Sequence, residues 1–317
     1  MKRPIAAVLS SLILFAVLAA PVRSACAAPL VPALSVEIRP RELAPAQAGY
    51  VFVSGGYPLQ VSVALDGSPL AVYWTGDGYL ALFAFDFDAP SGEHRIAVTA
   101  SAPATGAQVT YIDTITVTDF RYPREEVSIA RRLAALLDPI LNRNEEEQLD
   151  AIYAAHSNST DWGWPFALPV PGEMITSRFG SDRTYNGGLW RSYHTGVDFR
   201  RAVGEPVWAT ASGRVVAVES LDVRGNVVII DHGYGIFSQY AHTSEAYVTP
   251  GQYVQRGQLI AAAGSTGRTN GPHLHFEIIV NGIPVDPLAW MALMPGFVPP
   301  VEAPRDRNQP IEEGTGS

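Results

Sequence analysis

The sequence predicts a mainly β protein. It reads as an N-terminal immunoglobulin-like β-sandwich, a short helical linker and a C-terminal antiparallel β-sheet domain. Three observations carry this reading. Residues 31–120 hold about seven short alternating runs divided by Gly, Asp and Pro turn signals. Residues 121–160 change to helical apolar spacing. Residues 161–292 return to short strands, now carrying most of the chain's histidines.

The chain opens Met1-Lys2-Arg3-Pro4, followed by an apolar run from Ile5 to Ala20 and then Pro21. Ala25-Cys26-Ala27 fits an A-x-A cleavage pattern, so residues 1–27 read as a secretory signal peptide. The apolar run is a little short of the ~20 residues a membrane span needs, and the mature form is expected to have no span. Cys26 is the single cysteine, so cleavage after Ala27 leaves none and no disulfide framework exists. A rival reading makes Cys26 a lipoprotein anchor, although Arg23 stands where such signals carry an aliphatic residue. On either reading the protein is secreted to the cell envelope. The net charge of −9 and the scattered Lys and Arg argue against a nucleic-acid partner.

Candidate strands in the first domain are 34–38, 50–54, 59–65, 71–74, 80–87, 94–99 and 108–117. Nothing in them looks catalytic, and His94 reads as a turn or strand-end residue. The module is either a targeting or spacer unit or a passive cap. Beyond Phe120, Arg124-Glu125-Glu126 leads into an amphipathic helix that Pro139 ends or interrupts. A second helix is expected from an Asn144 N-cap with Glu145-Glu146-Glu147 in its first turn and Leu149, Ile152 and Tyr153 on its apolar face. His156 near its end reads as structural.

Trp162, Trp164 and Phe166 read as a core anchor or an aromatic wall. Ile175–Gly180 forms a strand and turn, and Ser181–Ser192 a polar loop. Further strands are expected at 206–209, 213–219, 227–231 and 237–242, with Asp231–Gly235 as a hairpin turn containing His232. The Pro-rich, acidic residues 293–317 are expected to be disordered.

The chemistry gathers around Gly271-Pro272-His273-Leu274-His275-Phe276-Glu277. In a strand, residues two apart share a face, so His273 and His275 project together while Leu274 and Phe276 enter a core. Upstream, Tyr193-His194-Thr195-Gly196-Val197-Asp198 sets His194 and Asp198 on one side of an extended segment. With one imidazole from His273 or His275, they make a two-His, one-Asp set that leaves a fourth tetrahedral position for water. Tyr240 and His242 alternate, and His242 is an acid/base candidate if it reaches the site. Glu277 is either a partner that fixes a ligand tautomer or a solvated strand carboxylate.

Taken in order, His194-x3-Asp198, Tyr240-Ala241-His242 and Gly264-Ser265-Thr266-Gly267 through His273-x-His275 resemble the lysostaphin/LytM-type M23 zinc metallopeptidases, over roughly residues 164–290. The resemblance implies a small antiparallel β domain with a groove and one Zn2+ per chain, held by His194, Asp198 and His275. It assigns His242 and His273 to catalysis and implies hydrolysis of peptide bonds in peptidoglycan stems or crossbridges. Departures are Arg178, where Pro is frequent, and Thr243, where Leu is frequent. The resemblance also suggests an Asn as a donor to the open metal position, with Asn186 as the candidate. The alternative is a rim loop whose Trp190 packs or stacks on substrate, with Tyr240 a further groove candidate. A rival from another class is a catalytically silent wall-binding or amidase-activating protein on the same fold, and a third is an adhesin whose sandwich does the work.

Overall fold

The computed structural model describes residues 34–55, 59–158, 165–172 and 174–293. The expectations for the signal peptide, Cys26, Trp162, Trp164 and the acidic tail lie outside the described residues.

The seven alternating runs are all strands. One sheet has the order β1 (Leu34–Arg39), β3 (Ala48–Gly55), β7 (Tyr79–Ala84), β6 (Val72–Trp74). The other has the order β2 (Glu42–Leu43), β9 (Ala107–Val117), β8 (Gly92–Ala102), β4 (Gln60–Leu65), β5 (Ser68–Leu70). Alternate residues such as Ile96, Val98 and Ala100 of β8 turn inward. They meet Val51, Val53 and Phe83 from the facing sheet in one apolar core, where each buried Val, Ile or Phe contributes about 1.5–3 kcal/mol. β2 and β5 are too short to show a period, which is why the pattern missed them.

Residues 124–127 are not the start of a helix. They form β10 (Arg124–Val127), which pairs in parallel with β12 (Asp182–Tyr185). β12 in turn pairs antiparallel with β13 (Trp190–Tyr193), so the expected polar loop is a hairpin. Glu125 answers Arg183 across this small sheet at 3.1 Å. Polar cross-strand pairs hold it together, and a hydrophobic period cannot reveal such pairs.

A 3-10 turn at Arg131–Leu137 precedes α1 (Pro139–Ala154). Pro139 opens this helix rather than ending the previous one. Asp138 is the N-cap and accepts from the Ile140 amide at 2.7 Å, and a proline in the first turn has no N–H to leave unsatisfied. Asn144 is therefore interior, not a cap. Glu145 is buried, and its carboxylate accepts from the Val223 and Arg224 amides at 2.7 and 3.0 Å.

The large sheet runs β11 (Ile175–Ser177), β14 (Val197–Arg200), β21 (His273–Val280), β18 (Ile236–Ala246), β17 (Gly225–Gly233), β16 (Gly213–Leu221), β19 (Tyr253–Val254). β15 (Pro206–Trp208) and β20 (Leu259–Ala263) pair beside it, and β22 (Ile283–Val285) pairs with β21. Leu149 and Tyr153 of α1 cover one face, against Ile229, Phe237 and Ile279. The other face packs Phe199, Val228, Tyr240 and Phe276 with Trp290 of α2 (Pro287–Leu293). His232 lies in β17 and is buried; Tyr234 and Gly235, both with positive φ, make the turn. His232 bonds Ser212 O at 2.9 Å and Ser238 Oγ at 2.7 Å.

The two β bodies are joined by packing. Tyr73 stacks on Tyr234 at 4.2 Å, and Phe87 stacks on Tyr193 at 4.2 Å and an interplanar angle of 4°. Asn281 Nδ2 donates to Leu82 O, and the Asp286 amide donates to Ala46 O, both at 3.1 Å.

Candidate metal centre and active site

The antiparallel register of β14 and β21 places Asp198 directly opposite His275. Leu274 and Phe276 are fully buried, which turns His273 and His275 to the opposite face as the strand period requires. His194 precedes β14 and is held by two backbone bonds, from its amide to Ser181 O at 2.9 Å and from the Gly180 amide to its carbonyl at 2.8 Å. The chain between His194 and Asp198 passes close over β21 at Gly196. A Cβ there would lie 2.5 Å from Phe276 O and 2.8 Å from His275 Cε1, so only glycine fits.

Three donor atoms converge. His194 Nε2 lies 3.0 Å from Asp198 Oδ1 and 3.1 Å from His275 Nδ1, and His275 Nδ1 lies 2.8 Å from Asp198 Oδ1. Each has a second atom committed elsewhere. His194 Nδ1–H donates to Arg178 O at 2.8 Å, His275 Nε2–H donates to Glu277 Oε1 at 2.7 Å, and Asp198 Oδ2 accepts from Arg183 at 3.2 Å. With those outward bonds in place, His194 Nε2, His275 Nδ1 and a carboxylate oxygen of Asp198 face one point as metal donors. Such a cluster can hold a metal ion. Tetrahedral zinc bonds of ~2.0–2.1 Å give ligand edges of about 3.3 Å, and the observed edges are slightly tighter. The residues present fit a zinc ion.

The electrostatics agree. Burial alone would raise Asp198, but His194 and His275 outweigh it and hold the carboxyl well below its usual range. At His275 burial is likewise outweighed, here by Asp198 and Glu277, which draw it up to about 9. A metal needs that same nitrogen unprotonated, so proton and metal compete for it.

His242 and His273 stand beside this cluster. Their ring centroids are 4.7 Å apart, and His242 lies 5.9 Å from His275. His273 Nε2 is 3.8 Å from Asp198 Oδ1. His242 Nδ1–H donates to Thr266 O at 2.7 Å and His273 Nδ1–H to Gly271 O at 2.9 Å. Both carbonyls belong to the loop between β20 and β21, and both rings keep Nε2 free of that loop. Burial, with His273 and His275 nearby, pushes His242 down to about 3.

Tyr240 is a correction. His242 has φ +60 and the pairing of β18 shifts register around it, so the alternation from Tyr240 breaks. Tyr240 instead enters the core, where its hydroxyl accepts from the Thr210 amide at 2.8 Å. Asn186 is a second correction. Its Oδ1 accepts from the Ile129 amide at 2.7 Å and its Nδ2 donates to Ile129 O at 3.3 Å. The side chain is spent on the linker rather than the metal cluster. Trp190 does line the groove, next to Tyr185 and Ile129. Glu277 is buried and bonds His275, not solvent.

Sequence reasoning missed Arg183, which reaches both Asp198 and Glu125, and Arg224, which lies between Glu145 and Glu277 at 3.2 and 3.6 Å. Arg183 sat in a stretch read as loop, and Arg224 in a turn. A basic residue in either carries no signal until the fold brings its carboxylates together. No helix among the described residues is long and apolar enough to cross a membrane.

Residues 192–287 match Peptidase family M23. Over 93 residues the chain is 45% identical to the peptidoglycan DD-endopeptidase ShyB of Vibrio cholerae, covering 29% of this chain and 22% of that protein. Over 121 residues it is 42% identical to the DD-carboxypeptidase/endopeptidase Mpg of Neisseria meningitidis, covering 38% and 28%. The matched segments thus span under a third of these relatives. A solved Pseudomonas aeruginosa structure bearing the name peptidase M23 aligns over 79% of this chain and 95% of its own, with 25% identity and a TM-score of 0.55. Residues 192–287, which carry the His194, Asp198 and His275 cluster, are an M23 peptidase domain.

Proposed function

We propose that the protein is a secreted zinc endopeptidase of the bacterial cell envelope that cuts peptide bonds in peptidoglycan stems or crossbridges. The observation that carries this is the convergence of three donor atoms beside two further histidines whose Nε2 atoms make no hydrogen bond among the described residues, in one groove. His194, Asp198 and His275 hold one zinc. When bound, the ion supplies Lewis-acid polarisation of a carbonyl and lowers the pKa of a water toward ~7. His242 and His273 accept and return a proton at Nε2 and stabilise the developing oxyanion. Their Nδ1 bonds to backbone carbonyls fix the rings in the tautomer this needs.

The silent wall-binding reading is disfavoured because such proteins usually lack metal ligands, and here all five side chains stand together. On the proposed organisation, an immunoglobulin-like sandwich over 31–120 serves as a spacer or targeting unit. A linker at 121–160 leads to the peptidase at 161–292. Zymography on purified cell walls, with mass spectrometry of the fragments, tests the activity. Metal-dependent release of peptides cut at one bond type is expected; intact walls after incubation with zinc-loaded protein would overturn the reading.

A further inference from the structure

Three guanidinium groups line the groove: Arg183, Arg224 and Arg268. Two of them are matched by carboxylates. Arg183 meets Glu125 and Asp198, and Arg224 meets Glu145 and Glu277. Arg268 forms no ion pair among the described residues. Its Nη1 donates to Leu136 O at 3.1 Å and to Asn142 Oδ1 at 2.8 Å, and its Cζ lies 4.9 Å from the centre of the Tyr185 ring. Among the described residues its Nε and Nη2 donate to no acceptor, and neither is sealed away from solvent.

A half-buried, permanently charged fork with one arm tied and the other open is costly to keep without a counter-charge. Burial, with Arg224 and Arg183 close by, lowers the Arg268 pKa, so an arriving anion would relieve two costs at once. The backbone makes the position firm. Arg268 N donates to Val223 O at 2.8 Å, and the adjoining Thr269 hydroxyl donates to Gly271 O, the carbonyl that also holds His273. The open arm therefore sits on the same loop that orients both non-ligand histidines. A planar fork with two free donors suits a carboxylate, which it can grip through two parallel bonds.

We infer that Arg268 is a specificity-determining residue that binds a free carboxylate of the peptide substrate close to the bond being cut. This rests on the reading of the groove as a wall-peptide site and narrows it to acidic stems over amidated ones. Tyr185 backs the guanidinium from one side and the tied Nη1 prevents it from swinging away, so little freedom is lost on binding.

The test uses the zinc-loaded full chain and two probes: a wall stem peptide with free carboxylates and the same peptide with all of them amidated. Binding of each is measured by calorimetry for the natural protein, Arg268→Gln and Arg268→Lys, and cleavage of the crosslinked peptide is read separately. The natural protein should favour the carboxylate peptide by about 10- to 100-fold, the value of a charge-assisted pair. Arg268→Gln should lose that preference, and Arg268→Lys should regain part of it. A carboxylate held only through the metal keeps its preference in Arg268→Gln, and that result overturns the inference. An equal loss for both peptides, the mark of a residue that merely clamps Leu136 and Asn142, overturns it too. Preference without cleavage would sink the endopeptidase reading and leave the carboxylate site standing; cleavage without preference would do the reverse.

Discussion

Glu277 Oε1 lies 2.7 Å from His275 Nε2, and the same oxygen accepts from the Thr195 hydroxyl at 2.8 Å. Arg224 stands 3.6 Å away on its other side. The carboxylate is buried, and although burial opposes ionisation, Arg224 and His275 outweigh it and hold Glu277 at about 2. It is thus a fixed anion that presents His275 Nδ1 to the cluster. Glu277→Gln should weaken zinc binding by about 10- to 100-fold, read by competition with a chromophoric chelator. Unchanged affinity would show that the ring is held without it.

Ligands and catalysts should separate cleanly. Asp198→Ala and His194→Ala should lose the metal. His242→Ala and His273→Ala should keep one zinc per chain yet lose turnover by roughly 10²- to 10⁴-fold. Metal analysis of each purified variant beside its rate decides the matter, and zinc loss from either catalytic-histidine variant would reverse the assignment.

Asn186→Ala removes both side-chain bonds to the Ile129 backbone. It should cost about 1–3 kcal/mol, quicken amide exchange over residues 124–130 and leave the zinc content unchanged. If instead zinc is retained less well, Asn186 touches the centre after all.

His232 should make stability pH-dependent. Burial pushes its pKa down to about 4 in the folded chain, against 6.5 ordinarily. Between those values the unfolded chain binds more protons, so this contribution is fully present above pH 6.5 and fades as pH falls toward 4. The size is on the order of 3 kcal/mol. Denaturant unfolding at several pH values should show a shallower acid slope in His232→Gln than in the natural protein; equal slopes would refute the assignment.

The strands were legible because Val61, Val63 and Leu65 or Ile96, Val98 and Ala100 alternate along half-buried ribbons, and alternation survives in one dimension. His273 and His275 were legible for the same reason. Tyr240 was not, since a single residue with positive φ at His242 breaks the period it was read from. The hairpin of β12 and β13 and its parallel neighbour β10 were hidden because polar pairs such as Arg183 with Glu125 hold them. Pro139 misled because proline ends one helix as readily as it begins the next. What decided the case was the Asp138 side chain reaching Ile140 N, a contact beyond any periodicity.

The stacks of Tyr73 on Tyr234 and Phe87 on Tyr193, with the backbone bonds at Leu82 and Ala46, act as a weld between the sandwich and the large sheet. A welded joint removes swivel. The mouth of the groove keeps one bearing relative to the sandwich, so whatever holds the sandwich also aims the cleft. If the groove takes a wall strand, as proposed, the strand must approach along that bearing, and selection among strands in a layered mesh becomes a matter of orientation as well as of chemistry.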